Sequence, residues 1–198
     1  MTTTKTLLEL AGADLSLPRL AEASLVLIDL QNEYVAGPLA LPDAGAAIGS
    51  AARLLARARH VGTTVIHIAH RGRPGGLFDR SAMRGAIVPA VAPLADELVI
   101  EKELPNAFAG TDLKARLDAS GHRNIVLAGF MTHMCISSTA RAALDLGFRI
   151  TIDADSCATR DLPDGRGGVI AAATVHEVAL VELSDRFALI ARDSAALV

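Results

Sequence analysis

Six short apolar runs, separated by stretches with helical spacing, constrain what this chain can fold into more than any other feature. They are residues 24–30 (SLVLIDL), 63–69 (TTVIHIA), 97–101 (ELVIE), 125–128 (IVLA), 149–153 and 187–191. Each has strand length and branched side chains at successive positions, which suits strands covered on both faces. Between them the spacing predicts helices. One opens at Pro42-Asp43, carries Ile48, Ala52, Leu55 and Ala56 on one face and stops at Gly62; a second runs over 111–120 with Gly121 as its stop. A third places Ile136, Ala140 and Leu144 in one stripe ending at Gly147, and a fourth covers 168–183. Strands alternating with helices imply a parallel sheet with helices on both faces. In such sheets ligands bind beyond the carboxyl ends of the strands, near the point where strand order reverses. With 198 residues the chain fits one domain, 1–198, with an N-terminal arm over 1–23. Residues 71–96, with RGRPGG and further prolines, predict a long connection holding only short helical turns, of the kind that borders an active site or an interface.

Charge and composition narrow the partners. The net charge is −3 with both signs mixed along the chain, and aromatic residues make up 3%, so no basic, aromatic-studded surface for nucleic acid is expected. The longest uncharged run contains Asn, Thr, His and Ser, and no membrane span is expected. The first twenty residues lack a charged segment followed by an apolar core, and Cys135 and Cys157 do not make a disulfide framework. The expectation is a cytoplasmic protein.

Three reactive side chains stand at strand ends. Cys135 lies in Gly129-Phe-Met-Thr-His-Met-Cys135, which turns the fourth strand into a helix. A thiol in a helix's first turn faces unpaired N–H groups and the positive end of the dipole, both of which favour the thiolate, and the same N–H groups suit an oxyanion. Asp29 closes the run LVLI, where a carboxylate needs a partner or a raised pKa, and alternation puts Gln31 on its face to orient it. Lys102 points away from Glu101 and Glu103 on its strand. Singly, each has a bland reading: a buried Cys that packs, an Asp that caps a loop, a Lys at a solvated strand end. Together they occupy one edge of the sheet.

The arrangement resembles the isochorismatase-like cysteine hydrolase superfamily. The resemblance rests on Asp29-Leu-Gln31 after an apolar strand, Lys102 followed by Asn106-Ala-Phe108-x-x-Thr111-x-Leu113, and the turn Gly129 to Cys135; Ala143-x-x-x-Gly147-Phe148 and Asp155-x-Cys-Ala158-Thr159 extend it. It implies a three-layer α/β/α Rossmann-like fold with a six-stranded parallel sheet, and a triad of Asp29, Lys102 and Cys135. It further implies a cis peptide between Phe130 and Met131, an oxyanion hole from the N–H groups of Met131 and Cys135, and a homodimer or homotetramer. The implied activity is hydrolysis of a C–N bond in a small amide, ureido or carbamoyl compound through a thioester on Cys135, with Asp29 as base. Gln31, Tyr34, His70, Asn106, Phe108 and His133 are the expected substrate-binding set. Zinc-dependent relatives carry an Asp-x-His element that is missing here. His67 and His70, three apart on a strand, face opposite sides, so no metal and no other cofactor is expected.

Other readings are weaker. A catalytically silent binding or scaffold protein would not need all three triad residues. An isochorismatase-type vinyl-ether hydrolase would lack the nucleophilic Cys. A dinucleotide binder would carry G-x-G-x-x-G after the first strand, where Gln31-Asn-Glu-Tyr stands. A thiol redox pair of Cys135 and Cys157 lacks C-x-x-C spacing. Arg71, Arg73, Arg80 and Arg84 in the long connection suit either a substrate carboxylate or a neighbouring subunit.

Overall fold

The computed structural model describes residues 4–197. After a short arm with a helical turn α1 (Leu7–Leu10), the chain runs β1 (Ala23–Ile28), α2 (Glu33–Ala36), α3 (Ala44–His60), β2 (Thr64–His70), β3 (Leu98–Lys102) and α4 (Leu113–Ser120). It continues with β4 (Asn124–Phe130), α5 (Ser137–Asp145), β5 (Arg149–Ala158), a small hairpin of β6 (Leu162–Pro163) and β7 (Val169–Ile170), α6 (Ala172–Arg186) and β8 (Leu189–Ala191). Six strands form one sheet in the order β3-β2-β1-β4-β5-β8, and every neighbouring pair is parallel. The order reverses between β1 and β4, so their carboxyl ends flank the crevice where such sheets bind ligands.

Burial on both faces explains why the central strands β1 and β4 are almost wholly apolar. Leu25, Leu27, Val126 and Ala128 point to one side, where they meet Ala47, Ala51, Leu54 and Ala58 of α3. Val26, Ile28, Ile125 and Leu127 point to the other, against Leu117 of α4, Ala140 of α5 and Leu180 of α6. This is the expected three-layer α/β/α arrangement. The buried face of α3 is rotated from the expected one: Ile48 and Ala52 are only partly buried and Ala56 is exposed. In a helix so rich in alanine, adjacent stripes are almost equally apolar, and the sheet selects between them. The connection over 71–96 holds two single turns, Met83–Gly85 and Pro89–Val91, as expected. Among the described residues no helix is long and apolar enough to cross a membrane.

The β5 strand departs most from expectation. It runs five residues past Asp153, because the register with β4 jumps: Leu127 pairs with Ile152, while Gly129 pairs with Cys157. The bulge leaves Asp153 fully buried with Oδ1 unpartnered among the described residues, while Ser156 donates to Oδ2. Burial pushes the Asp153 carboxyl up to about 6, with the Ser156 hydrogen bond opposing. A raised carboxyl binds its proton more tightly in the native state, so stability is fully present below the unfolded pKa and falls as pH rises through the folded one. At about 1.4 kcal/mol per unit the loss is on the order of 3 kcal/mol by neutral pH. Asp153→Asn is therefore expected to raise the melting temperature at pH 8 by several degrees and to flatten its decline between pH 4 and 7. Equal slopes for the two proteins in a thermal melt series would show that Asp153 does not cause the decline.

Candidate active site

The crevice is built from three strand ends. β1 stops at Ile28, and Asp29 takes a left-handed backbone, φ 54°, which Asp tolerates better than most residues. Its N–H donates to Ile68 O at 2.9 Å, so the residue is anchored to β2 while its side chain turns over the end of the sheet. Lys102 is the last residue of β3 and is buried. Cys135 lies in a π-helical turn, Thr132–Ile136, that links β4 to α5. A close approach of β4 to the end of β1 sets this turn. Gly129 has φ 127°, and a Cβ there would lie 1.9 Å from Ile28 O, which only glycine avoids. The Phe130–Met131 peptide is cis.

The side chains converge on one ammonium. Lys102 Nζ lies 2.6 Å from Asp29 Oδ2, 3.2 Å from His70 Nδ1 and 3.4 Å from Cys135 Sγ. A lysine has three donors, and all three are used. Asp29 Oδ1 has no hydrogen-bond partner among the described residues, which leaves it open to a proton. Asp29, Lys102 and Cys135 are all less than 5% exposed, so their charges act in a poorly screened site.

Burial governs the protonation states. It pushes the Asp29 carboxyl above its usual range, with the Lys102 ammonium pulling the other way. It pushes the Cys135 thiol up to about 12; the charge of Asp29 raises it further and Lys102 opposes. The expected resting thiolate is thus corrected. The π turn precedes α5 and sinks Sγ into the core, and desolvation there outweighs the helix end. At rest Cys135 holds its proton as a thiol, 3.4 Å from Lys102 Nζ. Burial also holds the His70 imidazole below its ordinary value, so its neutral ring accepts from Lys102.

The expected substrate-binding residues divide. His70 belongs to the Lys102 cluster, with its ring 5.0 Å from that of Phe78. Gln31 does not face the crevice as a free amide. It donates to the backbone carbonyls of His70 and Gly85 at 2.9 and 2.8 Å and accepts from the His70 N–H at 2.8 Å, which clamps β2 and the long connection to the end of β1. Tyr34 is core, packed on Phe78 and Phe130 at 5.1 and 5.5 Å. Phe108 stacks on Phe148 at 6.1 Å, next to the amino end of β5. Asn106 Oδ1 accepts from the Phe108 N–H at 2.9 Å and shapes that turn. His133 bonds Thr159 Oγ1 through Nδ1, just past the end of β5. Such long-range clamps cannot be read from local alternation.

The two strand histidines go to different partners. His67 shares a face with Val65 and meets Glu97 at 2.9 Å, whereas His70 meets Lys102. Three of the four loop arginines are occupied: Arg71 by Glu103 at 2.7 Å, Arg80 by Glu101 at 3.0 Å and Arg84 by the buried Glu33 at 3.3 Å. They tie the connection down.

Sequence reasoning missed Arg160. This half-buried residue follows β5, and its Nε is buried without a partner among the described residues. Its charge is felt at His133, whose imidazole is lowered by burial first and by Arg160 second, and at Tyr34. The available signal was its position two residues past Ala158, the end of a strand that borders the crevice.

The model of the isochorismatase domain matches residues 23–192. A crystal structure of an isochorismatase from Pseudomonas putida superposes with a TM-score of 0.95 at 41% identity, covering 99% of this chain and all of that one. A secreted isochorismatase effector of Verticillium dahliae is 35% identical over 84% of this chain and 85% of its own length. A maleamate amidohydrolase of Pseudomonas putida is 38% identical over 65% of this chain and 68% of its own.

Proposed function

This chain belongs to the isochorismatase family, and we propose that it is a cysteine hydrolase cleaving a C–N bond of a small amide or ureide through Cys135. The observation that carries this reading is the Lys102 ammonium in hydrogen-bond contact with both a buried carboxylate and a buried thiol. A carboxyl raised by burial is a better base near neutral pH than an exposed one. Asp29 Oδ1 takes the proton of the Cys135 thiol as Sγ attacks the substrate carbonyl carbon. Lys102 Nζ, 3.4 Å from Sγ, offsets the charge that develops there. The oxyanion rests on the N–H groups of Met131 and Cys135. Asp29 returns the proton to the departing nitrogen, leaving a thioester and a free amine or ammonia. Asp29 then takes a proton from water, the hydroxide adds to the thioester carbonyl, and collapse releases the acid while Asp29 returns its proton to Sγ.

Arg160 points to an anionic substrate. A guanidinium whose Nε is buried without a partner among the described residues, and whose charge is felt at His133, favours a carboxylate on the compound, and the maleamate amidohydrolase relative supports an amide substrate. The test is ammonia release across amides and ureides paired with and without a carboxylate, with EDTA-treated protein alongside. Turnover of the carboxylated members that EDTA leaves intact is expected. Arg160→Met should raise KM for them about 10- to 100-fold, in line with loss of a charged hydrogen bond, while kcat changes little. Equal KM values in both proteins would remove Arg160 from substrate binding, and no turnover on any compound would favour a silent scaffold.

A further inference from the structure

We infer that His176 is a positioning residue for the proposed hydrolysis, acting through Thr132 on the turn that presents Cys135; the inference rests on the function proposed above. Thr132 is the first residue of the π turn and directly follows Met131, and it is fully buried. Its hydroxyl makes one side-chain hydrogen bond among the described residues, to His176 Nδ1 of α6 at 2.8 Å. A buried hydroxyl without a partner is costly, so this contact fixes the rotation of Thr132. The next residue, His133, is tethered the same way, through its own Nδ1 to Thr159 at the end of β5. Two imidazole–hydroxyl bonds thus fasten two of the three residues between Met131 and Cys135.

The turn needs fastening because its register is uncommon. Ile136 N–H reaches back to Met131 O at 3.2 Å, while Met134 N–H bonds the same oxygen at 3.0 Å. An ordinary α-helical turn would rotate Cys135 about the axis and move Sγ away from Lys102. α6 is a firm support for the tether, since Leu180 and Leu183 sit fully buried in the core. His176 itself is half-buried and borders a cavity of about 230 Å³ shared with Asp43, Asp155 and Thr159. Changing it therefore removes few core contacts, and its effect falls on the hydrogen bond.

The experiment uses the full chain with His176→Leu and His176→Asn, the second keeping a hydrogen-bonding atom near the Nδ1 position. The leucine variant is expected to lose about 10- to 100-fold in kcat with KM nearly unchanged, the size typical of a slightly misplaced reacting group. The asparagine variant should recover to within about fivefold of wild type, one ordinary hydrogen bond being worth about that factor. An unchanged kcat in the leucine variant, or a loss that asparagine does not recover, overturns the inference. A loss that follows a falling melting temperature overturns it as well. Iodoacetamide labelling of Cys135, read against Cys157 by mass spectrometry, gives a readout independent of substrate. The Cys135 rate should shift at least about fivefold in the leucine variant and return with asparagine. If no compound is turned over, the proposed function fails, and an unchanged Cys135 rate then decides against His176 separately.

Discussion

Cys135→Ala is expected to lower turnover by about four orders of magnitude or more, the scale on which covalent hydrolases lose activity with their nucleophile. Stability should change little. The thiol packs against Ile136 and Ala140 as a small apolar group, and trading sulfur for hydrogen leaves a void smaller than a methylene-rich side chain would. Cys135→Ser is expected to be almost as inactive. A hydroxyl is a far weaker acid than the thiol, and the thiol is already pushed up to about 12, so Asp29 cannot deprotonate the substitute at a useful rate. The decisive comparison is mass spectrometry of protein quenched during turnover. An acyl adduct on Cys135 in the wild type, absent from the alanine variant, carries the thioester step. Turnover that survives in the alanine variant would remove Cys135 from the chemistry.

The fold was legible because a sheet covered on both faces leaves no room for alternation, so every central strand is an apolar run in the sequence. The grouping of Asp29, Lys102 and Cys135 was legible for the complementary reason. Asp29 and Lys102 interrupt such runs at their ends, where a charge has no packing role, and Cys135 stands in a Gly-led turn. What escaped depends on contacts distant in sequence. Gln31 is held by His70 and Gly85, and Phe108 by Phe148, none of which its neighbours announce. The β6–β7 hairpin lay inside a stretch read as loop and helix start, because two-residue strands carry no periodicity. The π turn differs from an α turn by a single hydrogen-bond step, and helical spacing continues through Ile136 and Ala140 in either case. Arg160 was overlooked because an arginine in a polar loop is usually solvated. Its Nε, buried without a partner among the described residues, sets it apart.

Lys102→Met is expected to be the most damaging substitution to the site as a unit, in activity and in stability together. Methionine nearly matches the lysine stem in volume but removes the one cation that, among the described residues, lies within hydrogen-bond reach of Asp29, leaving both oxygens of this buried carboxylate without a hydrogen-bond partner among those residues. Removing one partner of a buried pair costs about 3–5 kcal/mol when the remaining charge persists. Asp29 escapes part of that cost by holding its proton. Its carboxyl is already raised by burial against the pull of Lys102, and without the ammonium it rises further. A protonated Asp29 cannot accept from Cys135, so kcat should fall about 10³-fold or more at neutral pH, and the acid limb of the rate profile should move to higher pH. The stability consequence has the same sign. A group raised in the folded state is stabilising only while protonated, so the melting temperature of the variant should fall as pH increases from 5 to 8 more steeply than that of the wild type. Asp29→Asn combined with Lys102→Met replaces the ion pair by two neutral groups and should recover most of the lost stability and remove the added slope, while remaining inactive. Thermal melts of the four proteins across that range decide the matter. A double variant no more stable than Lys102→Met alone would mean that Lys102 holds the site by packing, and its role in setting the charge of Asp29 would have to be abandoned.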